Sequence, residues 1–314
     1  CLQDVDSGLV RFTRKIAPRA AGGATGAVVS TPGLPQLLVL SEGDRQVTAL
    51  DLISGEMRWR YTGSSPAAYR IRRAGKLLLV TGGDQSLVAL DVTTGDVVWR
   101  VRERLPFSGD LTVDGDTAYA VSGGRQGPAE LHAIQVWTGD VAWSTQLEER
   151  PLLGQTPLLH EQRVLLATRD PRGLGISAFE RDSGRRAWSQ APGWLPRAAA
   201  FLTHGDGLVA NSASGSVICV DARDGSPRYA HDFGQPLDTD QPRRLEPVLK
   251  GGALFVPQQQ VQVLRPDDGE RIGEVPSDLV PDLIRVDEEC AVYVVEDSGH
   301  VAAFAVAPQL MRVK

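Results

Sequence analysis

Side chains able to carry out chemistry are scattered through this sequence rather than grouped. None of the five histidines stands at metal-ligand spacing from another; they are His132, His160, His204, His231 and His300. A Gly-x-Ser-x-Gly elbow, which would expose a nucleophilic serine, does not occur. Asp238 and Asp240 stand close together in a proline-rich loop, but calcium takes about six to eight oxygen ligands, so we interpret them as a solvated turn. The sequence therefore predicts no enzyme: no catalytic residue, no metal ligand and no cofactor site.

The three cysteines show no spacing typical of a metal site or a disulfide framework. Cys219 lies inside an apolar run, where the other repeats described below carry alanine or valine, and we expect a small buried hydrophobic residue. Cys290 opens another apolar run and receives the same interpretation. Cys1 allows two interpretations. It is either the lipidated first residue of a processed bacterial lipoprotein or an arbitrary starting point of the given sequence.

Composition and hydropathy argue against a nucleic-acid partner and against a membrane-spanning helix. The net charge is −6 and the isoelectric point is near 5.5, whereas proteins that bind nucleic acid normally present a basic surface. Hydrophobic residues make up 42% of the chain, which is enough for a core. No stretch approaches the ~20 apolar residues of a membrane-spanning helix. We expect no nucleic-acid partner and no transmembrane segment, with membrane attachment only if Cys1 is lipidated.

One sequence motif recurs along the chain. Its clearest copy runs from Leu87 to Trp99 and predicts a strand, a tight turn and a second strand. The copies are marked by a turn glycine that returns after 40 to 45 residues, at Gly55, Gly95, Gly139, Gly184, Gly225 and Gly269. Four residues after each of the first five glycines stands an aromatic residue, at Trp59, Trp99, Trp143, Trp188 and Tyr229. Four residues before the glycine, three copies carry an aspartate, at Asp51, Asp91 and Asp221. A period in this range indicates a propeller, solenoid or array.

The repeated residues have structural explanations. The aspartate can accept hydrogen bonds from main-chain N–H groups of the turn, and the glycine suits a hairpin turn with positive φ. The tryptophan offers a flat surface that can pack against the neighbouring sheet. We therefore predict that these positions stabilise the fold and carry no chemistry.

The repeat predicts an all-β fold, namely a seven-bladed β-propeller of four-stranded antiparallel blades that forms a single domain over residues 1–314. The two chain ends carry complementary partial copies. Residues 282–306 supply three strands of the last blade, and Val10–Lys15 would close it as the fourth. The alternative is an eight-bladed ring with an incomplete blade.

The phrase formed by Ala89, Leu90, Asp91, Thr94, Gly95 and Trp99 resembles the quinoprotein, or PQQ-like, β-propeller repeat. That family includes quinone-dependent dehydrogenases, non-catalytic assembly lipoproteins of the BamB type and sensor domains. The resemblance implies a pair of adjacent cysteines and calcium ligands in the dehydrogenases, and this chain has no Cys-Cys pair. The resemblance therefore favours the non-catalytic BamB-like branch.

The non-repeating loops are the expected place for function. Connections between blades contain exposed arginine and aromatic residues, a composition typical of interface hot spots, and the candidates are Arg104, Phe107, Trp194, Arg197, Arg243 and Arg244. Trp194 has the alternative of folding back onto its own loop. We expect a scaffold for protein–protein interaction in the periplasm or another extracytoplasmic part of the cell envelope, with a membrane-associated protein as partner. The first alternative is a ligand-sensing domain of a larger receptor or kinase. The second, which the sequence favours less, is a PQQ-dependent dehydrogenase.

Overall fold

A computed structural model describes residues 2–3, 10–12, 26–30, 35–42, 45–64, 69–82, 85–107, 109–124, 127–151, 156–170, 173–190, 199–234, 245–289, 291–296 and 300–305. Within these residues all regular structure is β-strand, which confirms the all-β prediction. The described part contains no helix with the length and hydropathy needed to cross a membrane. The chain divides into two compact units, Cys1–Pro157 with Arg181–Arg185, and Leu158–Glu180 with Arg186–Lys314.

Among its described residues, the first unit forms three four-stranded antiparallel sheets and one hairpin. Its strands are β1 (Leu2–Gln3), β2 (Val10–Phe12), β3 (Gly26–Val29), β4 (Leu37–Glu42), β5 (Gln46–Asp51), β6 (Met57–Thr62), β7 (Arg70–Ala74), β8 (Leu77–Thr81), β9 (Ser86–Asp91), β10 (Val97–Arg102), β11 (Thr112–Asp114), β12 (Thr117–Gly123), β13 (Ala129–Gln135), β14 (Val141–Leu147) and β15 (Arg150–Pro151). The hairpin is β1–β2, and the sheets are β3–β6, β7–β10 and β11–β14, each in chain order.

The second unit continues the same pattern. Its strands are β16 (Leu158–His160), β17 (Arg163–Asp170), β18 (Gly173–Glu180), β19 (Arg186–Gln190), β20 (Ala199–His204), β21 (Gly207–Ser212), β22 (Ser216–Asp221), β23 (Pro227–Asp232), β24 (Val248–Lys250), β25 (Ala253–Pro257), β26 (Val261–Leu264), β27 (Arg271–Val275), β28 (Leu283–Val286), β29 (Val292–Val295) and β30 (Val301–Phe304). They pair in chain order as β16–β19, β20–β23, β24–β27 and the three-stranded β28–β30.

Burial differs between the inner and outer strands of a sheet. In β9, every residue from Ser86 to Leu90 is buried, because the strand is covered on both faces. In β10, exposed residues alternate with half-buried ones, as expected for a strand with one side in water. The continuous apolar runs of the sequence thus become the third strands, and the tryptophan-bearing runs become the fourth.

The turn between the third and fourth strands has the chemistry of an aspartate-capped hairpin. Asp91 Oδ1 accepts hydrogen bonds from the main-chain N–H groups of Thr93 at 2.8 Å and Thr94 at 3.1 Å. The N–H of Gly95 donates to the main-chain oxygen of Asp91 at 2.8 Å. In the first repeat, hydrogen bonds from Arg58 and the turn hold the pKa of Asp51 well below its usual range.

Each repeat aromatic ring lies over the turn glycine of the following repeat. A Cβ placed on the glycine would come within 3 Å of the ring in the pairs Trp59–Gly95, Trp99–Gly139, Trp143–Gly184, Trp188–Gly225 and Tyr229–Gly269. The indole N–H groups of Trp59, Trp99 and Trp143 also donate to main-chain carbonyls of the same turns. These contacts fix one repeat against the next inside each unit.

The antiparallel order places two kinds of connection at opposite ends of every four-stranded sheet. The turns between strands one and two and between strands three and four share one end. The loop between strands two and three shares the other end with the connection to the next sheet. We call this second end the loop end. For the β24–β27 sheet, it comprises Gln258–Gln260 and residues 276–282.

Candidate functional site

The structure places the predicted interface residues in different environments. Trp194, Arg197, Arg243 and Arg244 lie outside the described residues. Arg104 is exposed at the loop end of the β7–β10 sheet, and its main-chain oxygen accepts a hydrogen bond from Gln85 at 2.8 Å. Phe107 is a core residue, only 2% exposed, with its ring 5.9 Å from that of His132. The Phe107 side chain therefore offers no surface to a partner.

A cavity of about 550 Å³ lies at the loop end of the β24–β27 sheet, entirely inside the second unit. Eight of its lining residues are polar and two are apolar: Phe233, Gln258, Gln259, Gln260, Gln262, Arg271, Glu274, Ser277, Asp278 and Val280. Its size falls within the range of about 300–1,000 Å³ typical of small-ligand sites, and that size makes it the candidate site. Its polar lining differs from that of most such sites, which are lined by mainly apolar residues.

Gln258 is held in one orientation at the base of the loop. Its Nε2 donates to Asn211 Oδ1 and, at 3.3 Å, to the main-chain oxygen of Ser212. Asn211 is fully buried, and its own Nδ2 donates to the carbonyls of Leu245 at 3.0 Å and Pro257 at 2.9 Å. Because the amide nitrogen of Gln258 faces only acceptors, its Oε1 must be the free oxygen.

Two amide oxygens of the lining lack donors. Gln258 is 2% exposed and Gln262 is 7% exposed, and the Oε1 atom of each is buried with no hydrogen-bond partner in the described part of the chain. Leaving such a group unpaired costs about 1–3 kcal/mol. Both oxygens are closed to solvent, so this cost belongs to the core beneath the cavity.

Charges in the lining largely compensate one another. Arg271 forms an ion pair with Glu274, which lies opposite Gln262 in the sheet register. The Gln260 amide, oriented to satisfy both groups, donates to the carboxylate of Glu274 at 3.2 Å. Asp278 adds one exposed carboxylate. One cation against two carboxylates disfavours an anionic ligand.

Among the described residues, two other groups of titratable side chains are close enough to be considered for a metal ion. The first is Glu103, Glu130 and His132. The ring nitrogens of His132 each lie 2.8 Å from a serine hydroxyl, of Ser122 and Ser144. Burial lowers the pKa of His132, and the two glutamates oppose that effect.

The second group joins His160, Glu161 and Asp206. Asp206 lies 3.2 Å from His160 Nε2, 3.3 Å from Arg223 and 3.8 Å from Arg228. Two guanidinium groups already balance its charge, so a divalent cation gains little there.

The residues of the cavity are not among those that the sequence predicted as a site. Three consecutive glutamines occupy the loop after Pro257. Gln262 takes a third-strand position that is apolar in only two of the other five repeats, whose residues there are Thr48, Val88, His132, Ser177 and Ile218. A polar residue at this position is therefore no sign of a site, and the loop glutamines join it only in the folded chain.

Comparison with known proteins identifies the relatives of the chain. The family model described as outer membrane protein assembly factor BamB matches residues 11–106 and 83–307. The structure is similar to BamB from Moraxella catarrhalis, with a TM-score of 0.65 and 17% identity over 86% of this chain and 82% of that chain. It is also similar to a europium-containing methanol dehydrogenase, with a TM-score of 0.61 and 13% identity over 92% and 80% of the two chains. Comparison with curated protein sequences gives no significant match.

Proposed function

Because the chain belongs to the outer membrane protein assembly factor BamB family, we propose that it acts as a non-catalytic scaffold that binds another protein in the bacterial cell envelope. The observation that carries the proposal is the extent of the family match, which spans nearly the whole chain. The similarity to the fold of Moraxella catarrhalis BamB supports it. Repeated sheets with short turns suit this role, since they hold non-repeating loops on a rigid support.

The proposed binding surface comprises the connections between sheets, whose sequence contains Arg104, Trp194, Arg197, Arg243 and Arg244. These residue types are enriched at interface hot spots. The proposed partner is a membrane-associated protein in the periplasm.

Site-specific photocrosslinking tests the surface in intact cells. A photoreactive amino acid replaces Arg104 or Trp194 in turn, and crosslinked proteins are identified by mass spectrometry. The matched control is Thr138, which is exposed in the turn at the opposite end of the β11–β14 sheet. We expect the same membrane-associated protein from both loop-end positions and its absence from the control.

A uniform crosslinking pattern across Arg104, Trp194 and Thr138 would contradict the proposed surface. So would crosslinking of the loop-end positions to no protein. The crosslinking experiment thus distinguishes a specific interface from nonspecific adsorption of other proteins.

The similarity to a europium-containing methanol dehydrogenase makes quinone-dependent oxidation a second candidate. Against it stands the sequence itself, which lacks the adjacent cysteines implied by the dehydrogenase resemblance. Incubation with PQQ and either Ca²⁺ or a lanthanide, followed by a dye-reduction assay with primary alcohols, distinguishes the two. We expect neither binding nor turnover, and PQQ-dependent dye reduction would overturn the non-catalytic assignment.

We further infer a ring of seven blades closed by the N-terminal strand. The inference rests on the complementary partial repeats at the two chain ends and on the described β28–β30 sheet, which has three strands. Deleting residues 1–15 should lower the melting temperature by removing the closing strand. Unchanged melting would remove the inference.

A further inference from the structure

We propose that a row of exposed apolar side chains on the first unit binds a segment of a partner protein in which apolar residues stand beside lysine or arginine. This apolar row lies on the turns between the third and fourth strands of three consecutive sheets, and its members are Ile53, Met57, Val97, Val98, Trp137 and Val141. It is at the opposite end of the sheets from the loop end. The proposal therefore adds a second surface to the scaffold and does not depend on the first.

Large apolar side chains are exposed mainly in this row. The described part of the chain exposes eight of them, and six belong to the apolar row. Their exposed fractions range from 39% for Val141 to 72% for Ile53. Single exposed apolar residues are ordinary, but a group of them marks a surface that contacts another molecule.

The fold does not require apolar residues at these positions. The first residue of the fourth strand is apolar in all three sheets of the first unit, namely Met57, Val97 and Val141. In the second unit the same position holds an arginine or a proline, namely Arg186, Pro227 and Arg271. Since the same hairpin forms with either set, the apolar residues of the first unit are explained by contact with a partner rather than by folding.

Ring contacts connect the apolar row from one sheet to the next. The ring of Trp59 packs over Gly95 and thereby joins the start of β6 to the start of β10. The ring of Trp99 packs over Gly139 and joins the start of β10 to that of β14. The row is therefore a connected surface on a rigid support.

Trp137 provides an aromatic anchor in a fixed orientation. Its indole N–H donates to Asp116 Oδ1 at 2.7 Å, and its ring covers Gly75, where a Cβ would lie 3.0 Å away. The side chain is nevertheless 43% exposed. Tryptophan is enriched at interface hot spots, and a side chain that is already restrained loses little conformational freedom on binding.

The charges beside the apolar row select a basic partner. The residue after each turn glycine is an exposed acid, namely Glu56, Asp96 and Asp140. Neither Asp96 nor Asp140 has an ion-pair partner among the described residues. Arg58 is engaged with Asp51 at 2.7 Å, and Lys76 beside Gly75 adds one positive charge. The excess of carboxylates is complementary to lysine or arginine and repels an anionic lipid surface.

Fluorescence anisotropy with short labelled peptides tests the proposal. The probe alternates leucine with lysine, and two comparison peptides carry glutamate in place of every lysine or serine in place of every leucine. Val97→Ser combined with Val98→Ser removes part of the apolar row. The matched control is Val301→Ser, because Val301 is an exposed valine of the second unit outside the row.

A second pair of variants tests the charges. Asp96→Asn combined with Asp140→Asn removes two carboxylates while keeping the size of the side chains. Asp224→Asn is the matched control, since Asp224 is an exposed aspartate in a third-to-fourth-strand turn of the second unit.

We expect the leucine–lysine peptide to bind the native protein, with affinity about tenfold weaker in the valine pair and about threefold weaker in the aspartate pair. Both controls should retain the native affinity. If the valine pair does not fold, the aspartate pair decides.

No binding of the leucine–lysine peptide overturns the proposal, as does equal binding of either comparison peptide or native affinity in both variant pairs. Binding of phosphatidylglycerol vesicles that is lost in the valine pair would assign the row to a membrane instead. Self-association of the native protein in sedimentation, lost in the same pair, would assign it to a second copy of the chain. Both of these results also overturn the proposal. The scaffold surface is judged by the protein that Arg104 and Trp194 capture in common and the apolar row by peptide affinity, so the two proposals fail separately.

Discussion

The packing of tryptophan on turn glycine predicts a large and specific cost for Gly139→Ala. Gly139 has φ of 81°, a left-handed conformation that costs an alanine about 1–2 kcal/mol. The new Cβ would also lie 2.8 Å from two ring atoms of Trp99, well inside the ~3.5–4.0 Å optimum for carbon atoms. Overpacking of this kind typically costs about 1–3 kcal/mol. We therefore expect Gly139→Ala to lower the free energy of unfolding by about 2–5 kcal/mol.

A matched control exists in the same β11–β14 sheet. Gly115 also has positive φ, 55°, but a Cβ there meets nothing within 4 Å. Gly115→Ala should therefore show only the backbone cost of about 1–2 kcal/mol. Equilibrium urea unfolding followed by far-ultraviolet circular dichroism measures both variants. In a Trp99→Ala background, the cost of Gly139→Ala should fall to that of Gly115→Ala.

Equal costs for the two glycine variants in the native background would refute the packing argument, because the ring contact would then contribute nothing. An unchanged cost for Gly139→Ala after removal of the Trp99 ring would refute it as well. Double-mutant cycles suit this question, since the two residues are in direct contact.

Three further predictions concern single side chains. Trp99→Phe should lower the free energy of unfolding by about 1 kcal/mol more than Trp188→Phe does. The reason is that Trp99 Nε1 donates to the main-chain oxygen of Val136 at 2.8 Å, whereas the buried Trp188 Nε1 has no partner in the described structure. Urea unfolding of both variants measures the difference. Because burial lowers the pKa of His132 below 6.5, the unfolded chain gains a proton first, and the free energy of unfolding should fall below pH 6.5 by at most about 1.4 kcal/mol per pH unit. A native protein with the same slope as His132→Gln would contradict this. Burial raises the pKa of the Cys219 thiol to about 11, so iodoacetamide at pH 8 should modify its peptide only after denaturation, as judged by mass spectrometry.

The sequence predicts best what depends on neighbours along the chain. The hydrogen bonds of Asp91 to its own turn follow from residue types three or four positions apart. The burial of the third strand follows from its continuous apolar residues. Cys219, placed in such a strand, is fully buried. Each of these features depends on residues within about ten positions of one another. Because the motif is repeated, the same pattern can be read in several copies.

Features that join distant segments were harder to predict. Phe107 belongs to a connection between sheets, and its composition suggested exposure, but it packs among Leu111, Ala118 and Ile134 in the core. The candidate cavity joins Phe233 to residues 258–280, and its lining comes from three separate segments. Neither the packing of Phe107 nor the grouping of the cavity residues leaves a local pattern in the sequence.

A polar residue in the third-strand position of Gln262 must find hydrogen-bond partners inside the core. Two repeats carry an apolar residue at this position, Val88 and Ile218, and the others carry a polar one. His132 stands there too, but serine hydroxyls lie 2.8 Å from both of its nitrogens. Ser177 likewise lies 3.0 Å from Ser189 on the neighbouring strand. Of these polar residues, Gln262 has a buried oxygen for which the described structure supplies no donor, and only the folded structure, not the residue type at this position, reveals that deficit.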